Sequence, residues 1–155
     1  MKEKLQEYAL LAEVISAIAI VISLIFVGIQ INQNTEQSRL DAIIGIKKET
    51  LIGGRAAIQS EESVSAIRKL LNDEPLSSKE GLYISFMAND LFGVADIAFE
   101  QFQNGRLGED DLIPSMSQIS VFMNYERVRT QWERVKTTNF QPDFIEYVEK
   151  YVNKE

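Results

Sequence analysis

A chain of 155 residues with no cysteine and no histidine has no disulfide scaffold, thiol nucleophile, Cys/His zinc site or imidazole acid–base chemistry. Its net charge of −7, from 16 Lys+Arg against 23 Asp+Glu, argues against a nucleic-acid partner and against broad adhesion to an anionic lipid surface. The length suits one domain with a modest core plus one further element.

Met1–Tyr8 is a short mixed-charge lead, read as the first turns of a helix. Ala9–Ile31 follows, ALLAEVISAIAIVISLIFVGIQI. From Val14 to Ile29, sixteen residues pass without a charge, Pro, Asn or Gln. That is roughly 24 Å of helix at 1.5 Å per residue. Extending it from Tyr8 to Ile31 reaches the ~30 Å of a bilayer core. Glu13 then lies near one end, where a carboxylate can reach headgroups. The preferred reading is a transmembrane anchor. A cleaved signal peptide fits less well, because no small-x-small site follows and Glu3 and Glu7 accompany Lys2 and Lys4 in the lead. A buried soluble helix also fits less well, because the run is apolar all round rather than along a stripe.

Ala12, Ser16, Ala19 and Ser23 recur at spacings of four, three and four, with Phe26 or Gln30 continuing the face. Small residues on one face let helices approach closely in lipid, so this face is the candidate transmembrane interface. The alternative is that it meets lipid. Orientation is balanced on charge: Lys2, Lys4 and the amino terminus on one side, Arg39, Lys47 and Lys48 on the other.

Asn34-Thr-Glu-Gln37 has capping-box form, so either a new helix starts there or the anchor runs on. Leu40, Ile43, Ile44, Leu51 and Ile58 continue a helical pattern. Gly53-Gly54 costs a helix about 2 kcal/mol relative to Ala, so the helix bends there or another packs very close. Ser60-Glu-Glu starts a short helix with Val64, Ile67, Leu70 and Leu71 apolar. Asn72–Pro75 is a break. Ser77-x-x-Glu80 opens a long central helix to about Asn104. Its expected apolar face is Phe86, Met87, Leu91, Val94, Ala95, Ala98, Phe99 and Phe102. Asn89, Asp96, Glu100 and Gln103 fall opposite, and Asp90 sits at the boundary, open to pairing with an arginine. Gly105 caps the helix. Asp110 or Asp111 opens the next, with Pro114 in its first turn and Ile113, Met116, Ile119, Val121, Phe122 and Met123 as core contacts. A helix around Glu126–Lys136 carries Val128, Trp132 and Val135. The last starts at Pro142 and presents Phe144, Ile145, Val148 and Tyr151.

Few residues suggest chemistry. Glu100–Asp111 has a superficial calcium-loop look, but Phe102 would fall at a ligand position and the closing Glu is missing. Asp96 and Glu100 lie four apart, yet a di-iron pair needs His. Arg127, Arg129, Arg134 and Lys136 are the one basic concentration and the candidate patch for a phosphate or an acidic partner. The plainer reading is a solvated face, with Arg129–Glu133 an i,i+4 pair. Trp132 and Tyr125 read as core. No cofactor or catalytic set is expected.

The segment LAEVISAIAIVISLIFVGIQINQNT resembles the opening of a widespread group of small uncharacterised bacterial single-pass membrane proteins. Ile15, Ile18, Ala19, Val21, Ser23, Leu24, Val27, Gln30, Ile31, Asn34 and Thr35 fit that group's pattern. Phe26 stands where Tyr is usual, and Ser16 where an early Gly is. The closing stretch, with Phe102, Gly105, Trp132, Phe140 and Phe144, is similar to the group's last helices. The resemblance implies a bacterial inner (cytoplasmic) membrane location, an α-helical domain that leans cytoplasmic, and no activity.

The resulting expectation is an all-α protein: a transmembrane anchor over residues 1–33, then a bundle of about five or six helices over 34–155. The expected function is a non-catalytic interaction or accessory subunit, whose partners are the membrane and, through the anchor helix, itself or another membrane protein. The alternative is a membrane-tethered helical sensor, which a cavity lined by Asp90, Arg127 or Arg129 would favour. An enzyme is the least favoured reading.

Overall fold

The structure is a computed structural model that describes residues 2–153. Six helices account for nearly all of it: α1 (Lys2–Ala57), α2 (Glu61–Leu71), α3 (Ser78–Gln103), α4 (Glu109–Met123), α5 (Glu126–Asn139) and α6 (Pro142–Val152). No strand occurs among the described residues. Contacts divide the chain into two units, Met1–Arg39 and Leu40–Glu155. The amino terminus and the Lys2 side chain, counted above for orientation, lie outside what is described.

The first unit is helical throughout its described length. No new helix starts at Asn34. Instead Thr35 Oγ1 donates to the Ile31 carbonyl at 2.9 Å, and Ser38 Oγ to that of Asn34 at 2.9 Å. Both hydroxyls bond back into the preceding turn, as these side chains do inside a helix. With no proline between Ile31 and Ala57, nothing forces a stop.

In the second unit, α3 packs on α4, α5 and α2, and α6 lies against α4 and α5. Along α1's share of this unit, glycines do not mark a tight contact. A Cβ at Gly45, Gly53 or Gly54 would meet nothing within 4 Å. The helix ends three residues past Gly54, at Ala57.

The helix ends follow their side chains. Ser60 and Ser77 cap α2 and α3. Both of these helices close with paired bonds of the Schellman type. In α3, the amide of Gly105 (φ 70) donates to the Phe102 carbonyl and that of Arg106 to Gln101. In α2, Asp73 takes the left-handed position at φ 54, and Glu74 N–H reaches the Lys69 carbonyl at 2.8 Å. α4 starts at Glu109, because Asp111 Oδ2 accepts from the Gly108 amide at 2.9 Å. Pro114 therefore sits in the second turn rather than the first, where its missing N–H leaves the Asp110 carbonyl without its helical donor.

The buried faces are narrower and smaller than the apolar residues suggest. In α3, Gly81, Ile84, Ser85, Ala88, Phe92, Ala95, Ala98 and Phe99 are buried, whereas Phe86 is 61% exposed. In α2, Ser63 and Ala66 are buried while Val64 and Leu71 face out. In α4, Ile113 and Val121 face out, and Ser115 and Ser120 are buried. Small side chains let helix axes approach, and close approach gives more dispersion contact than one outward Phe or Val adds.

The core is aromatic. Trp132, fully buried, meets Phe92 edge-on at 4.9 Å, stacks on Phe140 at 5.6 Å and contacts Phe144 at 6.2 Å. Two outcomes are expected in denaturant unfolding. Trp132→Ala lowers stability by about 3–5 kcal/mol, because the void cannot close. Asp73→Gly raises it by about 0.5–1 kcal/mol, by relieving the left-handed strain of a residue with a Cβ.

Candidate functional site

Three regions come into question: the apolar run of α1, the basic residues of α5, and a cleft beside them. Among the described side chains from Leu10 to Ile31, every one is exposed, and the large apolar ones are at least 47% exposed. Ser16 Oγ donates to the Ala12 carbonyl at 2.8 Å, so its hydroxyl is satisfied within the helix. Ala12, Ser16 and Ala19 thus present methyl, methylene and backbone surface on one face, to which Ser23 adds a hydroxyl. Among the described residues two helices are long and apolar enough to cross a membrane: α1 from Leu10, with none of its apolar stretch buried, and α3, with 39% buried. α3's share is that of a core helix.

The four basic residues do not converge. Arg129 Nη1 donates to the carbonyls of Met123 and Asn124 at 3.0 and 2.9 Å, which satisfies acceptors at the end of α4. It does not pair with Glu133. That carboxylate takes Lys136, whose Nζ lies 2.8 Å from Glu133 and 2.7 Å from Glu149. The Lys136 ammonium is pushed up, first by Glu133 and then by Glu149. Arg134 is exposed. Arg127 lies against α3, its Nη2 only 2.8 Å from where a Cβ on Gly81 would sit, so the glycine leaves room for the guanidinium.

Arg127 also lines a cleft of about 330 Å³ with apolar Leu70 and Leu76 and the carboxylates of Asp73, Glu74 and Glu126. Three carboxylates against one guanidinium make this a poor place for an anion. Neither Asp90 nor Arg129 lines it. Asp90 is exposed and forms no ion pair among the described residues.

The calcium-like loop is two helix caps. Gln101 Oε1 accepts from Arg106 at 3.0 Å, Gly105 turns the chain, and Asp111 serves the Gly108 amide. Among the described residues no three Asp or Glu side chains gather as a metal site. Asp96 is half-buried, and its carboxyl is pushed up by burial and then by Glu100 and Asp143. Asp143 itself is pulled down by the Gln103 amide, which donates to it.

One polar cluster escaped the sequence reading. Glu80 accepts from Lys69 at 2.8 Å, from Ser65 Oγ at 3.1 Å and from the Ser77 amide at 2.8 Å. Its capping-box role was legible; its clasp on α2 was not, because that depends on how α2 docks. Asn89 and Gln131 are a second case, joined at 3.0 Å between α3 and α5.

Compared with known proteins, the chain matches no protein-family model, no curated protein and no solved structure.

Glu80 gives a pH test. Lys69 first, then the Ser77 amide, hold its carboxyl at about 2, down from 4.5. The folded state therefore binds this proton less readily than the unfolded state. The clasp stabilises fully above 4.5 and is lost as pH falls from 4.5 through about 2. In urea unfolding at a series of pH values, Glu80→Gln is expected to make the acid-side loss of stability shallower than in the parent chain.

Proposed function

We propose that the chain is a single-pass, membrane-anchored, non-catalytic interaction or accessory subunit, anchored by Ala9–Ile31 in a bacterial inner (cytoplasmic) membrane. The observation that carries this reading is the bare apolar surface of α1. Burying each such side chain is worth about 1.5–3 kcal/mol, and nothing in the described unit Met1–Arg39 buries them. Lipid hydrocarbon covers such a surface fully. The resemblance of LAEVISAIAIVISLIFVGIQINQNT to bacterial single-pass proteins points the same way, and it alone inclines the helical domain to the cytoplasmic side. Association runs through the face of Ala12, Ser16, Ala19 and Ser23, toward a second copy or another membrane protein.

The cleft at Arg127 favours a second reading, a tethered sensor. Its mixed charges and two leucines suit a small amphipathic cation better than a phosphate.

Two measurements test the main reading. Alkaline carbonate is expected to leave the chain in the membrane pellet; release into the supernatant rules out the anchor. Ser16→Leu with Ala19→Leu is expected to lower the associated fraction in membranes, because two isobutyl groups hold the backbones apart. Unchanged association removes this face from the proposal.

A further inference from the structure

The span is not the only apolar surface on α1. Between Leu40 and Ala57 the helix sends Ile46 against the bundle core. Leu40, Ile44 and Leu51, with Ile58 just past the helix end, point elsewhere and are 44%, 62%, 61% and 70% exposed. Ile44, Leu51 and Ile58 are seven apart, and Leu40 holds the intervening position of the same repeat. This is the spacing of a seam between two helices. The remaining seam positions are Lys47, whose stem is apolar, and Gly54, around which there is open space.

Two occupants fit poorly. Lys47, Lys48, Glu49 and Arg55 on the same turns keep the stretch out of lipid hydrocarbon. The bundle already meets a different side of this helix, at Ile46. A second copy fits well. Two chains anchored the same way present the same repeat, in the same direction, at the same height. A two-fold axis then brings each residue opposite itself. The seam is short for a free coiled coil, but confinement in a membrane raises the effective concentration. Counted back in sevens, the sequence frame of Ile44 passes through Gln37, Gln30, Ser23 and Ser16.

We propose that Leu40, Ile44, Leu51 and Ile58 form a parallel, in-register contact with a second copy of this chain. The proposal rests on Ala9–Ile31 being a membrane anchor. The absence of native cysteine makes the test clean. Single variants Ile44→Cys, Leu51→Cys and Glu49→Cys of the full chain are oxidised in native membranes, after carbonate extraction of a parallel sample. The expected result is pelleted protein with roughly tenfold more disulfide dimer from the two seam variants than from Glu49→Cys, since only seam positions bring equivalent Cβ atoms within bonding range. Leu40→Cys, a third seam variant, is expected to crosslink like the other two, and adding Ile44→Glu and Leu51→Glu to it is expected to abolish the dimer; both sites are exposed, so the bundle still folds. Pelleted protein with equal or no crosslinking overturns the contact and leaves the anchor standing, whether the stripe is bare or holds a different protein. Release by carbonate overturns the anchor and the contact with it.

Discussion

Trp132 holds the bundle together, because its indole touches rings of α3, of the α5–α6 link and of α6. Phe92 comes from the middle of α3, Phe140 from the link between α5 and α6, and Phe144 from α6. Phe144 passes the contact to Phe99 at 5.6 Å, and Phe99 to Tyr147 at 4.9 Å. The ring system therefore runs along α3 and fixes where α5 and α6 lie on it. The indole N–H is buried with no hydrogen-bond partner among the described residues. The rings around the indole are those of Phe92, Phe140 and Phe144. Shape, more than polar pairing, sets this core.

Around that centre the helices meet on small residues. Ala88, Ala95 and Ala98 of α3, Ala66 and Ser63 of α2, and Ser115 and Ser120 of α4 are all buried. This is why the sequence yields helix positions more readily than helix faces. Capping serines, the Asn72–Pro75 break, Gly105 and Pro142 act within a few residues of themselves, so their meaning is local and legible. Which face turns inward is a contest between helices. Phe86, Val64, Ile113 and Val121 lose it to alanine and serine, since tight axial approach outweighs one large side chain. Asn34 is the converse case: a good cap by pattern, unused because the helix before it continues.

The candidate sites divide in the same way. The apolar run Ala9–Ile31 and its small-residue face are properties of one helix and can be read from spacing. The fates of Arg127, Arg129, Arg134 and Lys136 depend on where α5 comes to rest. Arg129 ends on the carbonyls of Met123 and Asn124, Lys136 between two carboxylates, and Arg127 beside three. A cluster in sequence becomes four separate environments, two of them structural.

Within the chain itself Gly53 and Gly54 have no packing reason to be glycine, since there is free space where a Cβ would stand. What they change is mechanical. Adjacent glycines lower the cost of unwinding the turns they occupy, because the freed backbone gains more entropy there than anywhere else in a helix. A load carried along α1 meets its weakest turns just before the chain leaves for α2. Those last turns are therefore the cheapest place for α1 to unwind.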